Sequence, residues 1–360
     1  MSSEFGNRIR ISVFGESHGT AIGVVMTGLP AGEEIDMEKL SAFLERRRGG
    51  KGKTTTARAE ADVPEFVSGV TNGKTNGFPL CAVIRNADTK SKDYEALLKT
   101  PRPGHADFTA HEKWNGMADM RGGGHFSGRL TAPICVAGGI AKQILERKGV
   151  FVGAHALEIA GVKDEAFPLF PEKTLFEEIA LKKTPVINES AGEEMLKCIE
   201  NAREKLDSVG GVAEVSITGL PNGLGNPMFD GVENRLAQVF FGIPAVKGVE
   251  FGSGFASSRM TGSENNDEFY FDEDGNVKTR TNHAGGILGG ITTGMPVTAR
   301  LAFKPTPSIA RVQNTVNFAT QENTTLEIGG RHDPCVVIRA IPVCEAAAAV
   351  CALDLMLEGK

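Results

Sequence analysis

The chain is punctuated by five glycine-rich tracts: GESHG (15–19), GGKGK (49–53), RGGGHFSG (121–128), NHAGGILGG (282–290) and IGGRHD (328–333). Glycine reaches backbone angles closed to other residues and lets a ligand or a second backbone come close. Regular elements must therefore break at these tracts, and any fold the chain adopts carries several shaped loops. The 44 glycines among 360 residues exceed the usual share of roughly 7%, with no collagen period or low-complexity run. In the first tract a strand-like run, RISVF, stops at Glu16-Ser17-His18 and then resumes. Bracketing glycines of this kind present His18 to a pocket rather than to packing.

Between the tracts, five stretches read as helices. Asp36 can cap a segment with Met37, Leu40, Phe43 and Leu44 on one face, and 131–149 ends in basic residues and glycine. The others are 191–206, 229–241 and 342–359. Strand candidates are 21–28, 80–84, 212–218, 296–303 and 335–340. These do not alternate with the helices as a doubly wound sheet requires. The expected class is α+β, one large domain with largely antiparallel sheets. The polar, acidic stretch 261–282 reads either as a long surface loop or flap or as a dispensable insertion. No apolar run approaches the roughly 20 residues of a membrane span and no signal peptide is evident, which makes the cytoplasm the default.

A formal charge of −6 argues against a general nucleic-acid or anionic-membrane binder, so any basic site is local. One such stretch exists: RRRGGKGKTTTAR, 46–58, carries six basic residues and no acid. Arginine forks there suit phosphate or carboxylate, yet three arginines after a helix would equally serve as a solvated helix end facing the dipole. Of seven histidines, five (His18, His105, His125, His283, His332) stand beside glycine, whereas His111 and His155 lack that context and read as structural. The six cysteines form no CxxC pair and read as buried thiols, and without HExxH a metal is not expected. Phosphate-loop, dinucleotide and nucleophile-elbow signatures are absent. The role left to the histidines is proton transfer near an anionic ligand, with Asp333 as the matching carboxylate.

Taken in order, GESHG, the RRR loop, RPGHAD (102–107), RGGG, KGVEFGSGF (247–255), NHAGGILGG, KPTPSI (304–309) and GRHDP (330–334) resemble the chorismate synthase family from about residue 7 to 355. The resemblance implies a layered sandwich of helices and antiparallel sheets, usually a homotetramer. It also implies 1,4-anti elimination of phosphate from 5-enolpyruvylshikimate 3-phosphate to give chorismate, with reduced FMN required and NADPH a candidate flavin reductant. Carried across by motif, His18 would protonate the departing phosphate, His105 would hold the flavin's working protonation state, and Asp333 would act at flavin N5.

By the same resemblance Arg47, Arg48, Lys53, Arg58 and Arg129 would bind substrate, Arg47 matching a position also implicated in nicotinamide-nucleotide binding. FMN would fall to His125, Phe126, Ser127, Pro244, Ala245, Gly289, the loop Lys304-Pro305-Thr306-Pro307-Ser308, and Arg331. The chain departs from the family at 125–132, HFSGRLTA where many members read RSSARETA, at Lys53 where many carry Arg, and at Ile243-Pro244-Ala245. Two rival classes are a phospho-ligand binder without catalysis and an RNA-binding module built on RRRGGKGK. Keeping His18, His105 and Asp333 together disfavours the first, and the scarcity of aromatics near the basic loop disfavours the second.

Overall fold

A computed structural model describes residues 3–49, 60–87, 99–329 and 333–359. Lys53, Arg58 and Arg331 of the expected site lie outside the described residues. Two five-stranded antiparallel sheets dominate. The first runs Glu4–Phe5, Arg10–Gly15, Ala21–Thr27, Leu80–Arg85, Glu65–Ser68 in spatial order, and the second Val246–Phe251, Val297–Phe303, Gly211–Thr218, Phe151–Ile159, Val162–Lys163. The helices are α1 (Met37–Arg47), α2 (Asp107–Trp114), α3 (Thr131–Glu146), α4 (Lys173–Leu181), α5 (Glu189–Glu204), α6 (Val232–Phe241) and α7 (Val337–Glu358), beside a single helical turn at Gly262–Asn265.

The layering follows from which faces are apolar. Helices α3 and α7 are buried on nearly every side, as a helix apolar all round must be. They lie against each other, α3 touching the first sheet and α7 the second, with α1 across both. Close approach there depends on glycine: a Cβ on Gly138 would fall 2.2 Å from the Ala346 backbone, and one on Gly139 2.6 Å from Leu40. Charges inside this layer are compensated. Glu345 of α7 accepts from Arg46 and Lys142, and although burial pushes its carboxyl up, those two cations hold it down at about 2. Asp354 accepts the amides of Asn7, Arg8 and Ile9, tying the N-terminal strands to α7.

Most of the expected elements stand where the periodicity puts them. Asp36 caps α1, accepting from the amides of Glu38 and Lys39 at 3.0 Å each, and strands occupy Ala21–Thr27, Leu80–Arg85, Gly211–Thr218 and Val297–Phe303. Two readings are corrected. The strand expected at 335–340 is instead the beginning of α7, which continues through Pro342. The run Val336-Val337-Ile338 is β-branched, a composition that favours strand, and the packing of α7 against α3 and the second sheet overrides that preference. The second is the expectation that no apolar run approaches a membrane span: with that beginning, α7 is as long and apolar as one, and 89% of its apolar window is buried inside the protein. The mostly exposed stretch 261–282 carries short elements of its own. Thr261 and Glu264 form a capping box on the Gly262–Asn265 turn, and Phe269–Phe271 pairs with Val277–Thr279 around Asp272, which accepts from the amides of Asp274 and Asn276.

Candidate active site

The site is assembled around the triple glycine. Gly122, Gly123 and Gly124 all have positive φ (61°, 89° and 53°), and this turn lies against two histidine loops at once. The Ser17 amide donates to the Gly124 carbonyl at 3.1 Å. A Cβ on Gly122 would stand 2.0 Å from His18 Nδ1, and one on Gly123 3.3 Å from His105 Nε2. Two imidazoles from separate loops thus meet across one glycine turn that no larger residue could replace, and both are largely buried.

His105 is oriented by its own loop. Its Nδ1 lies 2.8 Å from Asp107 Oδ1 and 3.1 Å from Arg102 Nη2; the shorter contact is to the carboxylate, which only accepts, so the proton is assigned to Nδ1, and Nε2 is left facing Gly123. Arg102 clamps Asp107 through Nε and Nη2, both at 2.7 Å, and reaches Ser308 Oγ through Nη1 at 3.2 Å. Burial pushes the Asp107 carboxyl up, but the hydrogen bonds and charges of Arg102 and His105 outweigh it and hold it far below the usual carboxylate range. Ser308 belongs to the Lys304–Ser308 loop, whose Lys304 Nζ donates to the Gly104 carbonyl and whose Lys304 amide donates to Ala245 O at 3.0 Å. Burial and the nearby Lys247 push the Lys304 ammonium down.

The expected cofactor residues divide. Ser127, whose Oγ accepts the Arg129 amide at 3.3 Å, packs beside Gly123, and Ala245 and the 304–308 loop adjoin His105. His125 has both nitrogens engaged, Nδ1 on the Gly15 carbonyl at 2.8 Å and Nε2 on Ser3 Oγ at 2.7 Å, so it pins the start of the His18 turn. Phe126 tilts against Trp114 at 5.8 Å. Gly289 sits in the hairpin Ile287–Leu288/Ile291–Thr292, and no contact among the described residues joins it to the histidines.

The three arginines at the C-terminal end of α1 are not a solvated helix end. Arg46 is spent on Glu345. Arg47 is buried and donates to Asp62 and, at 3.2 Å, to Thr131 Oγ1; Arg48 donates to Glu45 and to the Glu60 carbonyl. Arg129, also buried, donates to the other oxygen of Asp62 and, through Nε, to Asn86 Oδ1 at 3.2 Å. Asn86 in turn donates to the carbonyls of Glu16 and Gly19 at 3.0 and 2.8 Å, fixing the turn that carries His18. Asp333 pairs with Arg339 in the first turns of α7, and Arg339 Nε donates to the Arg47 carbonyl at 3.0 Å. Sequence reasoning passed over Asp62, Asn86 and Arg339, which no motif flags. Arg102 and Asp107 stand inside the RPGHAD motif that drew attention to His105.

Known proteins of one family match the chain over nearly its whole length. The family model for chorismate synthase matches residues 9–357. The chain is 48% identical to the chorismate synthase of Methanocella arvoryzae over 99% of its own length and 94% of the relative's. It is 45% identical to that of Korarchaeum cryptofilum over 98% and 97%. A crystal structure of chorismate synthase superposes with a TM-score of 0.78 at 29% identity, covering 98% of this chain and 93% of the other. Motif order, two-sheet architecture and near full-length identity converge on one conclusion: the chain belongs to the chorismate synthase family, lyases that eliminate phosphate to make chorismate.

Proposed function

We propose that phosphate leaves 5-enolpyruvylshikimate 3-phosphate beside His18, His105 and the Gly122–Gly124 turn, with reduced FMN as the resident cofactor. The observation that carries this reading is the convergence of two imidazoles on one glycine turn, linked through Asn86 to a pair of buried arginines. The residues also fit FMN. No carboxylate among the described residues pairs with Lys304, which already feels Lys247 and so suits a phosphate, and open space surrounds Gly289 where a Cβ would stand.

When bound, reduced FMN supplies electron density to the substrate ring as phosphate departs. His18 gives the departing phosphate its proton. His105, its Nδ1 proton committed to Asp107, exchanges protons through Nε2 and so maintains the flavin's protonation state. Asp333 manages the proton at flavin N5, held in place by Arg339. Arg47, Arg48 and Arg129, with Lys53 and Arg58, bind the substrate's carboxylates and phosphate, while the Lys304–Ser308 loop, Ala245 and Ser127 hold the cofactor. One catalytic domain, a cytoplasmic homotetramer and reduction of the flavin by NADPH complete the reading.

An anaerobic single-turnover experiment tests it. Reduced FMN should give chorismate and phosphate in equal amounts without being consumed, and oxidised FMN should give neither. Equal turnover by flavin-free protein would overturn the proposal.

A further inference from the structure

At the centre of the arginine pair stands a carboxylate that anion binding does not ask for. Asp62 is fully buried, one oxygen accepting from Arg47 Nη2 and the other from Arg129 Nη1. Its backbone sits at a φ of 48°, in the left-handed region that residues with side chains enter at a cost. Two residues earlier, Glu60 holds Oε2 3.9 Å from Arg129 Nη2, anchors that carboxylate on the Ala87 amide at 3.1 Å, and accepts Arg48 Nε on its own carbonyl at 2.9 Å. One short segment therefore touches Arg47, Arg48 and Arg129 together.

A salt bridge serving stability alone would use up the guanidinium donors. Among the described residues this one leaves Arg47 Nε and Arg129 Nη2 buried without a hydrogen-bond partner, Nη2 having only the Glu60 carboxylate at 3.9 Å, a condition protein interiors rarely carry unless something else meets the donor. The pair also lies along a continuous path. On one side Arg129 reaches Asn86 and the His18 turn; on the other the Arg47 carbonyl is held by Arg339, which binds Asp333.

We propose that Asp62, supported by Glu60, is a positioning residue: it fixes the two guanidinium planes so that their spare donors face the substrate's anionic groups, without itself touching substrate. The inference rests on the reading of Arg47 and Arg129 as substrate ligands. It has a sign that distinguishes it. Replacing Asp62 by Asn makes the site one charge more positive, yet frees both guanidiniums to rotate, so substrate binding weakens. An acid that merely competed for the arginines would, once neutralised, let substrate bind more tightly.

The test measures 5-enolpyruvylshikimate 3-phosphate affinity by calorimetry with oxidised FMN present, and FMN affinity and melting separately, for Asp62→Asn, Arg47→Ala, Arg129→Ala and the Asp62→Asn/Arg129→Ala double variant. Asp62→Asn should weaken substrate about 10- to 100-fold, the scale of a lost charge-assisted bond, and FMN less than about threefold. On the Arg129→Ala background the same change should add far less, because partners in one network are not additive. Unchanged or tighter substrate binding, full additivity, or an equal loss for FMN would overturn the inference. If both single arginine variants keep parent affinity, the substrate reading of the arginines falls; if they weaken it and Asp62→Asn does not, only the positioning role falls. Should Asp62→Asn fail to fold, Glu60→Gln is read instead, with about a threefold loss expected and parent affinity counting against the proposal.

Discussion

Among the described residues, His105 and His155 both hydrogen-bond to carboxylates, and they differ in what is left over. His105 gives Nδ1 to Asp107 and keeps Nε2 toward Gly123, beside His18. His155, in the second sheet, has Nδ1 3.0 Å from Asp164 and Nε2 3.1 Å from Glu214, with nothing exposed to solvent. Carboxylates only accept, so both His155 nitrogens carry protons and the ring is a buried imidazolium. Burial pushes it toward the neutral form, but the two acids outweigh burial and raise its pKa. Asp164 further accepts the amides of Ile187 and Asn188, and Glu214 that of Phe167, so this cluster clasps the 164–188 segment to the sheet. An imidazole does chemistry when one nitrogen stays available and becomes a rivet when both are consumed.

The comparison breaks most sharply if the two histidines are exchanged in role by substitution. His105→Gln should lower anaerobic turnover by about 10²- to 10⁴-fold, the scale of a lost acid–base group, while its melting temperature stays close to the parent's. Near-parent turnover at saturating ligands would remove His105 from the chemistry.

His155→Gln should do the reverse. Leaving two carboxylates around an uncharged amide costs about 3–5 kcal/mol of stability, with turnover per folded molecule unchanged. The pH dependence sharpens this. Because the folded pKa of His155 is raised above its ordinary 6.5, the stabilisation is complete below that value and is lost as pH rises through the folded pKa. The stability gap between parent and His155→Gln, measured by denaturant titration, should therefore shrink from pH 6 toward alkaline pH. A gap that widens would refute the imidazolium.

The smallest effect is expected at Ser308, the outer support of the His105 clamp. Ser308→Ala removes one acceptor of Arg102 while both Asp107 bonds remain, so about 1 kcal/mol, or roughly a fivefold change in turnover or FMN affinity, is the upper bound. A loss as large as that of His105→Gln would mean that the 304–308 loop, not Asp107, holds the histidine.

Much of this was legible in the sequence, for a local reason. Asp36 with its apolar face announces α1, because capping and a 3.6-residue period are properties of neighbouring residues. GESHG, RPGHAD and RGGG announce shaped loops, because glycine needs no distant partner to turn. Their order along the chain pointed to the family. Leaving His155 structural was possible because it lies outside the five glycine-rich tracts.

Tertiary structure alone decided which partners the charges take. Arg46, Arg47 and Arg48 look alike in sequence, yet Glu345, Asp62 and the Glu60 carbonyl give them three different surroundings. Residues 337–340 became helix rather than strand because α7 packs against α3 and the second sheet, and that packing overrides the strand preference of the β-branched run Val336-Val337-Ile338. Whether a histidine keeps a nitrogen available or is consumed as a rivet depends on what faces its second nitrogen, here Gly123 for one ring and Glu214 for the other, and such contacts between distant segments exist only once the sheets and α3 and α7 have packed.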